Sequence, residues 1–214
     1  DFVLKDEDIS EILPKANTVV FDEAHQVPDI ASIFFGNNFS TNEIFYLMQD
    51  TQSIFDKLGK NKKKLLAISS VVLDEIKNLR NFFPISNNRI IYEKIENKHE
   101  FAAHLNLIND NLIKLDKIFT LLDDQSPEQK KILERYINLR EKISPWLTEK
   151  NNDFVYWLDI FSKSVQFNMT PFSVSESFEK FRNKNKISWI FTSATLAVND
   201  NFDFFQNSLG LNDT

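Results

Sequence analysis

The sequence predicts an α/β fold with a large all-α insertion. Two short apolar runs carry the α/β part, Thr18–Phe21 (TVVF) and Trp189–Ser193 (WIFTS), each leading into polar residues. Between them, apolar side chains recur at steps of three and four for about a hundred residues, the period of amphipathic helices.

In chain order, residues 1–17 read as a short helix with Ile9, Ile12 and Leu13 on one face, stopped at Pro14, and then a loop. Thr18–Phe21 reads as a buried strand, parallel and covered on both faces. Val27, Ile30, Ala31, Phe34 and Phe35 give a helix after Pro28 that packs on the sheet and is capped at Gly36. Ser40-x-x-Glu43 is a capping box. The helix it opens is lined by Ile44, Leu47, Met48, Thr51, Ile54, Phe55 and Leu58 and ends at Gly59. Leu65, Ile68, Val72, Ile76, Leu79 and Phe83 line the next, which stops before Pro84.

Arg89–Ile95 reads as a short strand, and Phe101, Leu105, Ile108, Leu112, Leu115, Phe119 and Leu122 form the third helical stripe. Ser126-Pro127-Glu128-Gln129 is another capping box, with Pro at the first helical position, and Ile132, Tyr136, Leu139, Ile143 and Trp146 follow it. Four helices on short links predict a bundle. After Asn151–Asp153 the period drops to two, so Phe154–Ile160 and Val165–Thr170 read as a hairpin turning near Ser162–Ser164. Ser173-x-x-Glu176 caps a helix through Arg182, and Phe202, Phe205 and Leu209 mark a last helix ended by Gly210. The expected division is 1–39, 40–152 and 153–214.

Composition narrows the classes. The 214 residues are 42% hydrophobic and 26% charged, with 21 Phe as core material. No apolar run is long enough to span a bilayer, and the acidic N-terminus DFVLKDEDISE carries no signal peptide, which fits a cytoplasmic protein without a membrane partner. The absence of cysteine excludes disulfides, zinc thiolate sites and cluster ligation. A net charge of −6 argues against strong non-specific nucleic-acid binding by the whole chain but leaves room for a local basic track. Three glycines and no G-x-x-x-x-G-K-[ST] leave no phosphate-cradling loop. With so little chain before Asp22, the expectation is an internal piece of a larger protein.

Ligands of open α/β sheets bind at the C-terminal ends of strands. Adjacent acids there suit nucleotide hydrolysis, one holding Mg²⁺ on phosphates and the other positioning water. Asp-Glu after a strand is also the pattern of a solvated loop or a helix N-terminus. The residues around Asp22 and Glu23 discriminate: Ala24-His25 completes D-E-A-H, and the second strand runs into Thr192-Ser193-Ala194-Thr195.

DEAH followed by a strand ending in SAT resembles motifs II and III of a superfamily 2 helicase. LPKANTVVFDEAHQVPDIASIFFG resembles the motif II region of the bacterial DinG/YoaA branch of the XPD-like iron–sulfur DNA helicases. FVYWLDIFSKSVQFNMTPFSVSESF and the following WIFTSATL resemble the same branch up to and through motif III. The resemblance covers about residues 1–40 and 153–211, and the middle matches in position and helical character.

It implies part of a RecA-like parallel sheet in the first motor domain, with the two motif strands side by side. A parallel neighbour pair needs only a crossover of a dozen or more residues, whereas roughly 160 separate His25 from Ser188. The helices therefore stand where such helicases carry the Arch domain, which encloses the path of single-stranded DNA. The resemblance further implies an ATP- and Mg²⁺-dependent motor with 5′→3′ polarity, acting in repair or replication recovery. Asp22 would hold Mg²⁺ with bound nucleotide, and Glu23 would act as general base or orient water. His25 would reach Ser193 and Thr195, coupling the nucleotide to DNA grip, with Ala194 between them. The family's 4Fe–4S cluster has no ligands in this chain.

Lys57, Lys60, Lys62, Lys63 and Lys64 form one basic run. It reads either as a set of phosphate contacts or as a solvated loop with charges suited to a helix C-terminus. Trp146, Tyr156 and Trp157 are candidates to stack on bases, with Tyr156 and Trp157 on opposite faces of a strand. His99 and His104 read as helix surface residues. A second reading of the chain is an interaction module, its bundle binding a replication or repair protein without direct DNA contact.

Overall fold

A computed structural model describes residues 16–54, 62–84, 87–121, 126–184, 187–197 and 201–211. The fold is mixed α/β, with one parallel and one antiparallel sheet. It divides into two compact units, residues 1–37 with 170–214, and residues 38–169.

In the first unit, β1 (Thr18–Phe21) pairs in parallel with β6 (Ser188–Phe191), Val19 opposite Trp189 and Phe21 opposite Phe191. The pairing joins strands far apart in sequence, as the resemblance implied. The expectation of a strand covered on both faces is corrected. Phe21, Trp189 and Phe191 share one half-buried face, with Phe21 stacked 5.6 Å from Trp189 and 5.4 Å from Phe191. On the other face Val20 and Ile190 are 59% and 49% exposed, because no described element covers them.

Helices α1 (Val27–Phe35), α6 (Ser175–Lys184) and α7 (Asp203–Leu209) complete this unit. Its core joins Ala24, Val27 and Ala31 to Val174, Phe178, Phe205 and Leu209. Gly36 does follow α1, but in extended backbone rather than a left-handed cap. The Ser173 hydroxyl accepts from Ser175 N–H at 3.3 Å, so α6 opens one residue later than the Ser173-x-x-Glu176 pattern suggests. Gly210 ends α7 at φ 65°, and a Cβ there would meet the Ser175 carbonyl oxygen at 2.6 Å, so only glycine fits.

The second unit contains most of β2 (Asn37–Ser40), α2 (Thr41–Ser53), α3 (Lys62–Asn81), β3 (Asn88–Ile91), α4 (Lys98–Thr120), α5 (Pro127–Leu147), β4 (Phe154–Ile160) and most of β5 (Val165–Pro171). Ser40 caps α2 by accepting from Glu43 N–H at 3.1 Å, and Ser126 with Gln129 forms the full capping box of α5. Described members of the four stripes are buried together, Ile44, Leu65, Leu79, Leu105, Leu112, Leu139 and Ile143 among them. Phe55, Leu58, Gly59 and Leu122 lie outside the described residues.

This unit is not all-α. Its sheet runs β2-β5-β4-β3, so the hairpin lies with the helices and the compact units part at 169/170 rather than 152/153. The reason is side-chain alternation. Tyr156, Leu158 and Ile160 of β4 and Val165 and Phe167 of β5 point into the helical core. There Phe39 stacks on Phe167 at 4.3 Å, and Trp146 stands edge-on to Phe167 and Tyr156 at 5.0 and 5.3 Å. No described helix is long and apolar enough to cross a membrane.

Candidate active site at the ends of two parallel strands

Strand β1 ends at Phe21 and β6 at Phe191, and the parallel register carries on by one more pair of bonds. Thr192 N–H donates to the Phe21 carbonyl and Ala24 N–H to the Thr192 carbonyl, both at 2.9 Å. The turn between them puts Glu23 in the left-handed region, φ 52° and ψ 42°. For a side chain other than glycine this backbone costs about 1–2 kcal/mol. The turn brings three side chains together. His25 Nδ1 lies 2.9 Å from Ser193 Oγ and 3.3 Å from Glu23 Oε2, and Ser193 Oγ lies 3.4 Å from that same carboxylate oxygen.

Thr195 joins through Ser193. Its N–H donates to Ser193 Oγ at 3.3 Å, and its hydroxyl is 3.4 Å from the same oxygen. His25 therefore meets Ser193 directly and Thr195 at one remove, while Ala194 sits exposed in the turn between them. The triangle is open to solvent, with the His25 and Glu23 side chains 42% and 62% exposed. Its contacts contribute little to stability. They fix orientation.

Asp22 is held separately. Its Oδ1 accepts from Glu23 N–H at 3.0 Å and from the Thr192 hydroxyl at 3.3 Å, and no described group bonds Oδ2. Thr192 is a site residue that sequence reading passed over. Its signal was available, because with Phe21 opposite Phe191 the next positions to face each other are Asp22 and Thr192. No described cluster of three metal-ligating side chains exists.

The chain is similar along 99% of its length to two bacterial proteins named ATP-dependent DNA helicase YoaA. It is 29% identical to that of Escherichia coli over 212 residues and 27% to that of Haemophilus influenzae over 213. The chain resembles these helicases. It is also 26% identical, over 94% of its length, to the probable ATP-dependent helicase YpvA of Bacillus subtilis. The chain spans about a third of the length of these relatives: 33%, 33% and 31%. No family model matches it.

The other expected site residues distribute differently. Lys57 and Lys60 lie outside the described residues. Lys62, Lys63 and Lys64 are exposed in the first turn of α3, not at the C-terminus of α2, which ends at Ser53. Cations at a helix N-terminus oppose its dipole, so favourable dipole charge does not explain them. Trp146 and Tyr156 are 3% and 2% exposed and serve the core, which removes both as base-stacking residues. Trp157 is half-buried, with the Arg89 guanidinium 3.8 Å above its ring. His99 is exposed, but His104 is not a surface residue: its Nδ1 pairs with the Glu75 carboxylate of α3, both side chains mostly buried.

Proposed function

We propose that this chain is part of an ATP-dependent DNA helicase that unwinds with 5′→3′ polarity in DNA repair or replication recovery. Its first unit is the motif II and motif III portion of the first, RecA-like motor domain. Residues 38–169, hairpin included, are the Arch insertion. The observation that carries this reading is the meeting of His25, Glu23 and Ser193 beside Asp22 at the ends of β1 and β6. Sequence similarity along the whole chain to proteins named as ATP-dependent DNA helicases points the same way.

In this reading Asp22 would hold Mg²⁺ with bound nucleotide, its carboxylate oriented by Thr192 and the Glu23 N–H. Bound there, Mg²⁺ would supply neutralisation of phosphate charge. Glu23 takes a proton from the attacking water or orients it. The His25 and Ser193 contacts hold its carboxylate. A change at Glu23 then reaches the β6 end through Ser193 and Thr195, which links the state of the nucleotide to the grip on DNA.

The phosphate loop must come from sequence outside this chain, and so must any thiolate ligand of an iron–sulfur cluster. The 214-residue chain alone therefore hydrolyses no ATP. The test is unwinding by the full-length protein of partial duplexes with a 5′ or a 3′ single-stranded tail. ATP- and Mg²⁺-dependent unwinding of the 5′-tailed substrate supports the reading. Absence of unwinding on both, in protein that binds ATP, contradicts it.

A further inference from the structure

The second unit carries a groove of about 540 Å³ between α2, the C-terminal half of α3 and the β4–β5 turn. Phe45 and Tyr46 stand in it edge to face at 5.6 Å, 36% and 58% exposed. Lys77, Arg80 and Lys163 supply three cations, and none of the described lining residues is acidic. That local sign runs against the whole chain, whose net charge is −6. Arg80 is fixed in place: Nε donates to the Phe161 carbonyl at 2.5 Å and Nη1 to the Phe83 carbonyl at 2.7 Å. Those bonds use two of its N–H donors and leave a preorganised charge with others to spare. Lys77 pairs with Asp74 at 3.0 Å, but both are well exposed, and such a pair yields readily to a phosphate.

We propose that this groove binds single-stranded DNA, Tyr46 and Phe45 stacking on bases while Lys77, Arg80 and Lys163 meet the phosphates. The inference rests on the helicase reading for the choice of DNA. The aromatic–cation combination is what selects a single strand. Bases inside a duplex cannot reach an aromatic ring, and an acidic peptide would use the cations but leave the exposed Tyr46 face without a partner. The groove is also distinct from the Lys62–Lys64 turn, since Lys63 and Lys77 lie about 20 Å apart along α3.

The experiment is fluorescence anisotropy of the 214-residue chain with a labelled oligothymidylate of about 20 nucleotides, over a salt series. Tyr46→Ala and Lys163→Glu are compared with the unaltered chain, their folding checked by thermal melting. Tyr46→Ala is expected to weaken binding about tenfold. Lys163→Glu should lower the slope of log affinity against log salt by about 0.7 or more. A halogenated-uracil oligonucleotide, photocrosslinked to the unaltered chain, should label Tyr46 or Phe45. That readout stands even if a variant misfolds. Absence of binding near 50 mM salt overturns the proposal, as does binding that both variants retain with crosslinks elsewhere. Binding of polyglutamate but not of oligothymidylate would make the groove a protein-docking surface and also overturn it. None of these results touches the unwinding assay, so failure of the groove and failure of the helicase reading are distinguishable.

Discussion

His25 Nδ1 and Ser193 Oγ lie 2.9 Å apart although 168 positions separate them in the sequence. The contact joins the turn after β1 to the turn after β6. Both groups are partly exposed, so the bond is worth little to the fold. His25→Ala and Ser193→Ala should each change the unfolding free energy by less than about 1 kcal/mol. In the full-length protein both should reduce the stimulation of ATP hydrolysis by single-stranded DNA. The double variant should lose no more than the worse single one. Urea denaturation together with ATPase assays with and without DNA checks this. Additive losses would show that the two residues act independently.

The left-handed backbone of Glu23 makes a prediction opposite to the usual ranking of glycine and alanine. Glu23→Gly should be more stable than Glu23→Ala by about 1 kcal/mol, because only glycine adopts φ 52° without a Cβ penalty. Denaturation midpoints of the two variants decide it, and equal midpoints would mean that the turn relaxes when the carboxylate is removed.

On the proposed function, Thr192 would be a positioning residue, acting through its hydrogen bond to Asp22. Thr192→Val keeps the β-branched shape and removes only the hydroxyl that bonds Asp22 Oδ1 at 3.3 Å. The Mg²⁺ concentration giving half-maximal ATPase in the full-length protein should rise, by up to about tenfold. The rate at saturating Mg²⁺ should change less. Isothermal titration of Mg²⁺–nucleotide gives a second readout without turnover.

Inside the bundle, the Tyr136 hydroxyl lies 2.6 Å from Thr51 Oγ1, and Thr51 in turn donates to the Leu47 carbonyl at 2.7 Å. Thr51 has one proton, so Tyr136 donates to Thr51. Tyr136→Phe should cost about 1 kcal/mol. Burial pushes the Tyr136 phenol well above its ordinary value near 10. The folded state therefore holds the proton more tightly than the unfolded chain. The stability this contributes is complete below pH 10 and is lost as pH rises beyond it. Urea titrations at about pH 8 and about pH 11 should show an alkaline loss that is smaller in Tyr136→Phe.

Much of this was legible in the sequence, for reasons that particular residues make clear. The two apolar runs were legible as strands, and their pairing, Thr18–Phe21 with Ser188–Phe191, is the one that the resemblance of DEAH and SAT to helicase motifs implied. The helical stripes were legible because their period is strong, and the capping box at Ser126–Gln129 formed as written. Which core the hairpin joins was not legible. Period-two alternation says that Tyr156, Leu158 and Ile160 share a face, but not what that face meets. His104 misled for a similar reason: its partner Glu75 lies 29 positions away on a neighbouring helix, and helical spacing alone does not reveal it. The bare Val20 and Ile190 face escaped notice because a run of β-branched residues implies cover that the described residues do not provide.

The account stands most directly on Glu23. The decisive measurement is Mg²⁺-dependent ATP hydrolysis by the full-length protein carrying Glu23→Gln, alongside its binding of a fluorescent ATP analogue. The account predicts that hydrolysis falls by two orders of magnitude or more, roughly the contribution of a positioned general base, while the analogue still binds. Hydrolysis at an unchanged rate would contradict it, and would return the turn after β1 to an ordinary solvated loop.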